Sequence, residues 1–89
     1  MSDASFRDLH RTGAEFLLAD LDTALTFMDV AEVSRNEETV RRNHQNAHRA
    51  LETVLHLREK LVLEKVQEQA FNEKVTLLKA RLQAVGFPL

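Results

Sequence analysis

Two histidines, His44 and His48, stand four residues apart and are the first candidates for chemistry in this 89-residue chain. On a helix this spacing puts both imidazoles on one face, where they could hold a metal ion. Hydrolytic zinc sites with this spacing have a glutamate directly after the first histidine, whereas this chain has Gln45. The sequence fixes no third ligand. Metal binding is therefore kept as an alternative function, and no metal or cofactor is predicted.

A second candidate is a row of arginines, Arg35, Arg42 and Arg49, spaced by seven residues. On a helix this spacing makes a basic stripe that could bind phosphate or an acidic peptide. No aromatic residue interleaves with the row, and the chain has a net charge of −2 rather than a strongly basic surface. Weak nucleic-acid or phosphate binding is therefore the second alternative.

Catalytic residues form no recognisable set in this sequence. No Ser/His/Asp set, glycine-rich phosphate loop or close pair of carboxylates in an apolar setting can be assembled. The chain has no cysteine, which excludes disulfides, thiol nucleophiles and cysteine-ligated zinc. We therefore expect a protein that is not an enzyme.

The elements that carry these side chains begin at two capping patterns. Thr12-Gly13-Ala14-Glu15 fits a capping box and predicts a first helix at about residues 13–33. Ser34-Arg35-Asn36-Glu37 predicts a turn near residues 33–36. Residues 1–12 are predicted to form an N-terminal arm with at most a short helical turn.

The second and third helices are separated by a break in the apolar pattern. Three apolar residues in a row, Leu61-Val62-Leu63, predict a turn near residues 60–64, between helices at about 36–59 and 64–85. One continuous helix is the alternative, but it would need a sustained heptad that this stretch lacks. Gly86 and Pro88 end the last helix. The predicted fold is an all-α antiparallel three-helix bundle, with residues 13–89 as one domain.

Charge is unevenly distributed, because residues 13–34 carry five acids and no base, whereas the next helix is basic. In an antiparallel hairpin with a turn near residue 35, facing residues have numbers that sum to about 70. The acids of the first helix would then face the bases of the second, which contributes little stability but selects the register. We expect charge pairing within the molecule among Asp22, Asp29, Arg41, Arg42 and Arg49.

Large apolar residues also lie away from the main apolar stripe of the first helix. Phe16 and Phe27 lie about three turns apart on its opposite side, and such a row is rarely left in contact with water. Either the third helix or the N-terminal arm covers them within the monomer, or contact with another chain does, since a chain this short has little core of its own. The predicted interaction residues are Phe16, Phe27, Val30 and Phe71.

The run from Ala47 to Leu57 has the alanine and leucine spacing found in the second helix of a hairpin unit. It resembles a tetratricopeptide-type unit, and the chain is similar in outline to small three-helix modules of the microtubule-interacting and trafficking kind. The tryptophan, glycine and tyrosine positions of the tetratricopeptide pattern have no match around the first helix, and there is no second copy of the unit. The resemblance implies a helical surface that binds proteins, and no ligand residues carry over.

The N-terminal sequence lacks the regions of a signal peptide, and no apolar run approaches the length of a membrane span. The expected location is therefore the cytoplasm, without membrane contact. Taken together, the sequence predicts a non-catalytic helical protein-interaction or self-association module. Its expected partner is a second copy of the chain, with a dimer favoured, or another helical protein.

Overall fold

The structure, a computed structural model, describes the backbone of residues 3–89 and the side chains of residues 5–89. It consists of three helices, α1 (Asp3–Val33), α2 (Glu37–Arg58) and α3 (Lys65–Ala84). α1 packs against both other helices, and the molecule measures 52 × 18 × 18 Å. The predicted all-α three-helix bundle is confirmed.

The start of α1 differs from the prediction, because the helix begins at Asp3 rather than near residue 13. These additional helical residues contact the connection between α2 and α3. The Nδ1 atom of His10 accepts a hydrogen bond from the backbone N–H of Val62 at 2.9 Å, and the Phe6 and His10 rings lie 4.2 Å apart. Residues 3–12 therefore continue the helix, and residues 1 and 2 of the predicted arm lie outside the described residues.

Gly13 lies inside α1 and was wrongly interpreted as part of a helix start. The side chain of Leu61 lies so close that a Cβ on Gly13 would stand 2.7 Å from its Cδ2 atom. The glycine is thus explained by a close approach between α1 and the turn after α2, which is one of the ordinary uses of glycine.

Both predicted turns are present. At the first, the side-chain oxygen of Asn36 accepts a hydrogen bond from the backbone N–H of Thr39 at 2.9 Å and caps α2. At the second, Glu64 and Gln67 form a capping box at the start of α3. These side chains satisfy N–H groups that the first turn of a helix leaves without a partner.

The core follows the apolar spacing of three and four residues along each helix. Its members are buried between α1 and the two helices that pack on it, so α1 is the helix that contacts both of the others. The largest side chains that are fully buried are Leu17, Leu21, Val54, Leu78 and Leu82.

The last helix ends at a left-handed glycine, as the sequence predicts. Gly86 has a φ of 85°. Its N–H donates to the carbonyl of Gln83 and the N–H of Phe87 donates to the carbonyl of Leu82, both at 3.0 Å, which is the Schellman arrangement. The ring of Phe87 then folds back onto α2, with its centroid 4.6 Å from that of His48.

Replacing Gly86 with Ala is expected to lower the free energy of unfolding by about 1 kcal/mol, because a Cβ is unfavourable at this positive φ. Urea unfolding followed by circular dichroism measures the change. Gln83→Ala, at an exposed position in the last turn of α3, is the control and should change it by less than about 0.5 kcal/mol. Equal stabilities of the two variants would contradict this account of the helix end.

Candidate interaction surface

α1 has one side turned toward α3 and a second side that neither neighbouring helix fully covers. Where α1 meets α3, Asp22 pairs with Lys74 at 2.6 Å and Asp29 pairs with Arg81 at 2.8 Å. The second side is apolar and hydroxyl-bearing, and we call it the outer face of α1. It is formed by Leu9, Phe16, Thr23, Phe27 and Val30.

The helical period explains why these side chains remain at the surface. Phe16 immediately precedes the fully buried Leu17, so its side chain is rotated by about 100° from the core direction. It is 53% exposed. Leu9 and Val30 are seven residues before and fourteen residues after it and fall on the same side, where both are exposed. Phe27 lies nearer the core and is partly buried against it.

The structure brings three of the four predicted interaction residues, Phe16, Phe27 and Val30, to this one face. Phe71 does not belong to any surface and was wrongly predicted. It is only 4% exposed, and the guanidinium of Arg58 lies over its ring, 5.9 Å from the centroid. The reason is that α3 turns its Phe71 stripe toward α1 and α2.

α2 extends the outer face of α1 into a wider surface. On one side, the His48 ring of α2 packs on Phe87, which follows α3, and Arg58 of α2 pairs with Glu68 of α3 at 3.6 Å. By the helical period, five uncharged residues of α2 share the side that adjoins the outer face of α1. They are Thr39, Asn46, Ala50, Thr53 and Leu57. We call the two sides together the α1–α2 face.

One charged residue, Asp20, falls within the α1–α2 face, and it is partly buried. The low charge of this surface is unusual here, because 29% of the residues of the chain are charged. Sequence reasoning missed the α2 half of the face. The signal was present, since uncharged residues recur at spacings of three and four between the arginines of α2.

The predicted charge pairing between α1 and α2 was wrong about the partners. Asp22 and Asp29 pair with α3, where Arg81 also reaches Glu32 at 3.2 Å. On α2, Arg41 pairs with Glu38 of its own helix. That hydrogen bond lowers the pKa of Glu38, and the positive charges of Arg41 and Arg42 act in the same direction. The acids lie on the far side of α1 from α2, which is why the hairpin cannot pair them.

The arginine row of the sequence lies along the outer edge of α2. Arg35, Arg42 and Arg49 are all exposed, and among the residues with described side chains none of them has an ion-pair partner within 4.0 Å. The row is thus an unpaired basic edge next to the α1–α2 face.

The two histidines do not form a complete metal site. His48 Nδ1 lies 3.3 Å from Glu52 Oε1, and its ring packs on Phe87. His44 is partly buried and lines an open groove of about 390 Å³ together with Arg41 and Phe87. Within residues 5–89 no group of three histidine or acidic side chains is placed to hold a metal ion.

Comparison of the chain with protein-family models, with curated proteins and with solved structures gave no match. The resemblance to tetratricopeptide and trafficking modules therefore stays a prediction. None of the three described helices combines the length and the apolar character that crossing a membrane requires.

Arg81→Gln is expected to lower the free energy of unfolding by about 1 kcal/mol, because it removes a partly buried guanidinium that joins α3 to two acids of α1. Arg42→Gln makes the same charge change on the unpaired edge of α2 and should shift it by less than about 0.5 kcal/mol. Chemical denaturation at a protein concentration where the chain is monomeric compares the two. A larger loss for Arg42→Gln would mean that the acids of α1 depend on α2 after all.

Proposed function

We propose that this protein is a non-catalytic helical interaction module that self-associates through the outer face of α1. The observation that carries the proposal is the exposure of Phe16, beside Leu9 and Val30, on a surface with almost no charge. Exposed apolar side chains aligned on one face with little charge around them are typical of a site of contact with another macromolecule.

The composition of the α1–α2 face supports the same role. Cores of protein interfaces are depleted in charged residues and enriched in aromatic ones. Phe16 and Phe27 are aromatic residues about 16 Å apart along α1, and threonine and asparagine side chains surround them. Such residues can pack against a partner without leaving a buried charge unpaired.

The exposed apolar residues of α3 form the natural comparison. Leu77 is 50% exposed, nearly the same as Phe16, but it belongs to α3 and not to the α1–α2 face. Lys74 and Arg81 lie one turn on either side of it. The two positions therefore separate the effect of a specific surface from the general effect of removing an exposed apolar side chain.

Phe16→Glu is expected to raise the dissociation constant of the self-associated form at least about tenfold, since it puts a charge in the middle of the contact. Size-exclusion chromatography with light scattering over a range of protein concentrations measures the change. Leu77→Glu is the matched control and should leave the association unchanged, and both variants should keep their helical circular dichroism. A wild-type chain that stays monomeric up to millimolar concentration would contradict self-association.

A further inference from the structure

Charged residues line both outer edges of the α1–α2 face, and each edge has a seven-residue repeat. The edge of α1 is acidic and the edge of α2 is basic. The acidic row is Asp8, Glu15, Asp22 and Asp29, and the basic row is Arg35, Arg42, Arg49 and His56. All eight side chains are exposed.

Within one molecule the two rows cannot meet, because they lie on opposite edges of the α1–α2 layer. Asp8 pairs with Arg11 of its own helix at 3.0 Å, and Asp22 and Asp29 pair with α3. Glu15, Arg42 and Arg49 have no ion pair among the residues with described side chains. A basic edge with arginines outside any described ion pair and an acidic edge with exposed carboxylates therefore flank a surface whose one charged residue is Asp20.

We propose that the occupant of the α1–α2 face is the same face of a second copy, related by a two-fold axis parallel to the helices. The inference rests on the proposed function and adds the partner and its orientation. In this arrangement α1 of each copy lies over α2 of the other, and the four helices form an interface like that of a four-helix bundle.

The charged rows select this orientation over the alternative face-to-face dimer. Rotation about an axis parallel to the helices preserves height, so residues whose numbers sum to about 70 become neighbours between copies. Asp22 then lies level with Arg49 of the second copy, and Asp29 lies level with Arg42. Turning the second copy end over end would instead place α1 on α1 and α2 on α2, with acids facing acids and arginines facing arginines. Like charges across an interface are unfavourable, so they exclude that orientation.

The interior of the contact fits the same register. Phe16 lies over the segment of the second copy that contains Ala50 and Leu57, where small and aliphatic side chains leave room for an aromatic ring. Asp20 lies level with Ala50 and close to Asn46, whose side-chain amide can donate a hydrogen bond to its carboxylate.

The area available is sufficient for a dimer. The outer face of α1 from Leu9 to Val30 is about 32 Å long. With a molecular width of 18 Å, the projected contact is roughly 600 Å² per copy, at the lower end of the range for specific interfaces.

Chemical cross-linking tests the orientation directly, because the natural chain has no cysteine. Glu15 and His56 are exposed and lie level with each other across the proposed interface. Glu15→Cys and His56→Cys chains are mixed, left to exchange subunits and treated with a short bifunctional maleimide. The mixture is expected to give a cross-linked dimer that contains one chain of each kind, and neither variant alone should cross-link efficiently.

Efficient cross-linking of Glu15→Cys to itself would overturn the orientation, because the two copies of residue 15 lie at opposite corners of the proposed dimer. A dimer by light scattering that gives no cross-link in the mixture would also overturn it, and the proposed function would stand. A wild-type chain that is monomeric would remove both.

A charge reversal gives an independent check. Arg49→Glu is expected to weaken the dimer about tenfold, since each of its two copies replaces an attraction with a repulsion. Lys79→Glu makes the same change at an exposed position on α3 and should leave the dissociation constant within about twofold. Equal effects of the two reversals would mean that the basic edge of α2 does not contact the acidic edge of a second copy.

Discussion

Burial of the apolar stripe of α1 against both other helices is the interaction on which this structure depends. Leu17 and Leu21 are completely buried, and so are Leu78 and Leu82 of α3 on the other side of the same core. A helix is surrounded by side chains on all sides, however, and two neighbours cover only part of its circumference. The outer face of α1 is the part left over, and its side chains are apolar rather than charged.

Electrostatics follow from the same packing. Once α3 lies on the acidic side of α1, Lys74 and Arg81 become the nearest bases to Asp22 and Asp29. Arg42 and Arg49 of α2 are then left without an ion pair among the residues with described side chains. Surface ion pairs of this kind contribute little to folding stability, so an unpaired basic row costs the monomer little and remains available to orient a partner.

The proposed contact explains these two features with one arrangement. An aromatic, nearly uncharged surface with an acidic edge and a basic edge complements itself when two copies meet with α1 over α2. The histidine pair and the open groove near Phe87 play no part in it. Their geometry offers partners within the molecule, such as Glu52 and the Phe87 ring for His48, rather than a set of groups directed at a ligand.

The sequence by itself determined the local features of this protein. Apolar spacing predicted three helices, the capping pattern that begins at Ser34 and the stop at Gly86 marked two of their boundaries, and Phe16 was correctly placed off the core stripe. Each of these features depends on a few neighbouring residues, although the cap of α2 itself is Asn36. Only the tertiary structure decided that Phe71 is buried, that Gly13 accommodates Leu61 and that Asp22 pairs with Lys74. The physical reason is that helical periodicity tells which residues share a face, whereas the neighbour that covers each face depends on how the helices pack around one another.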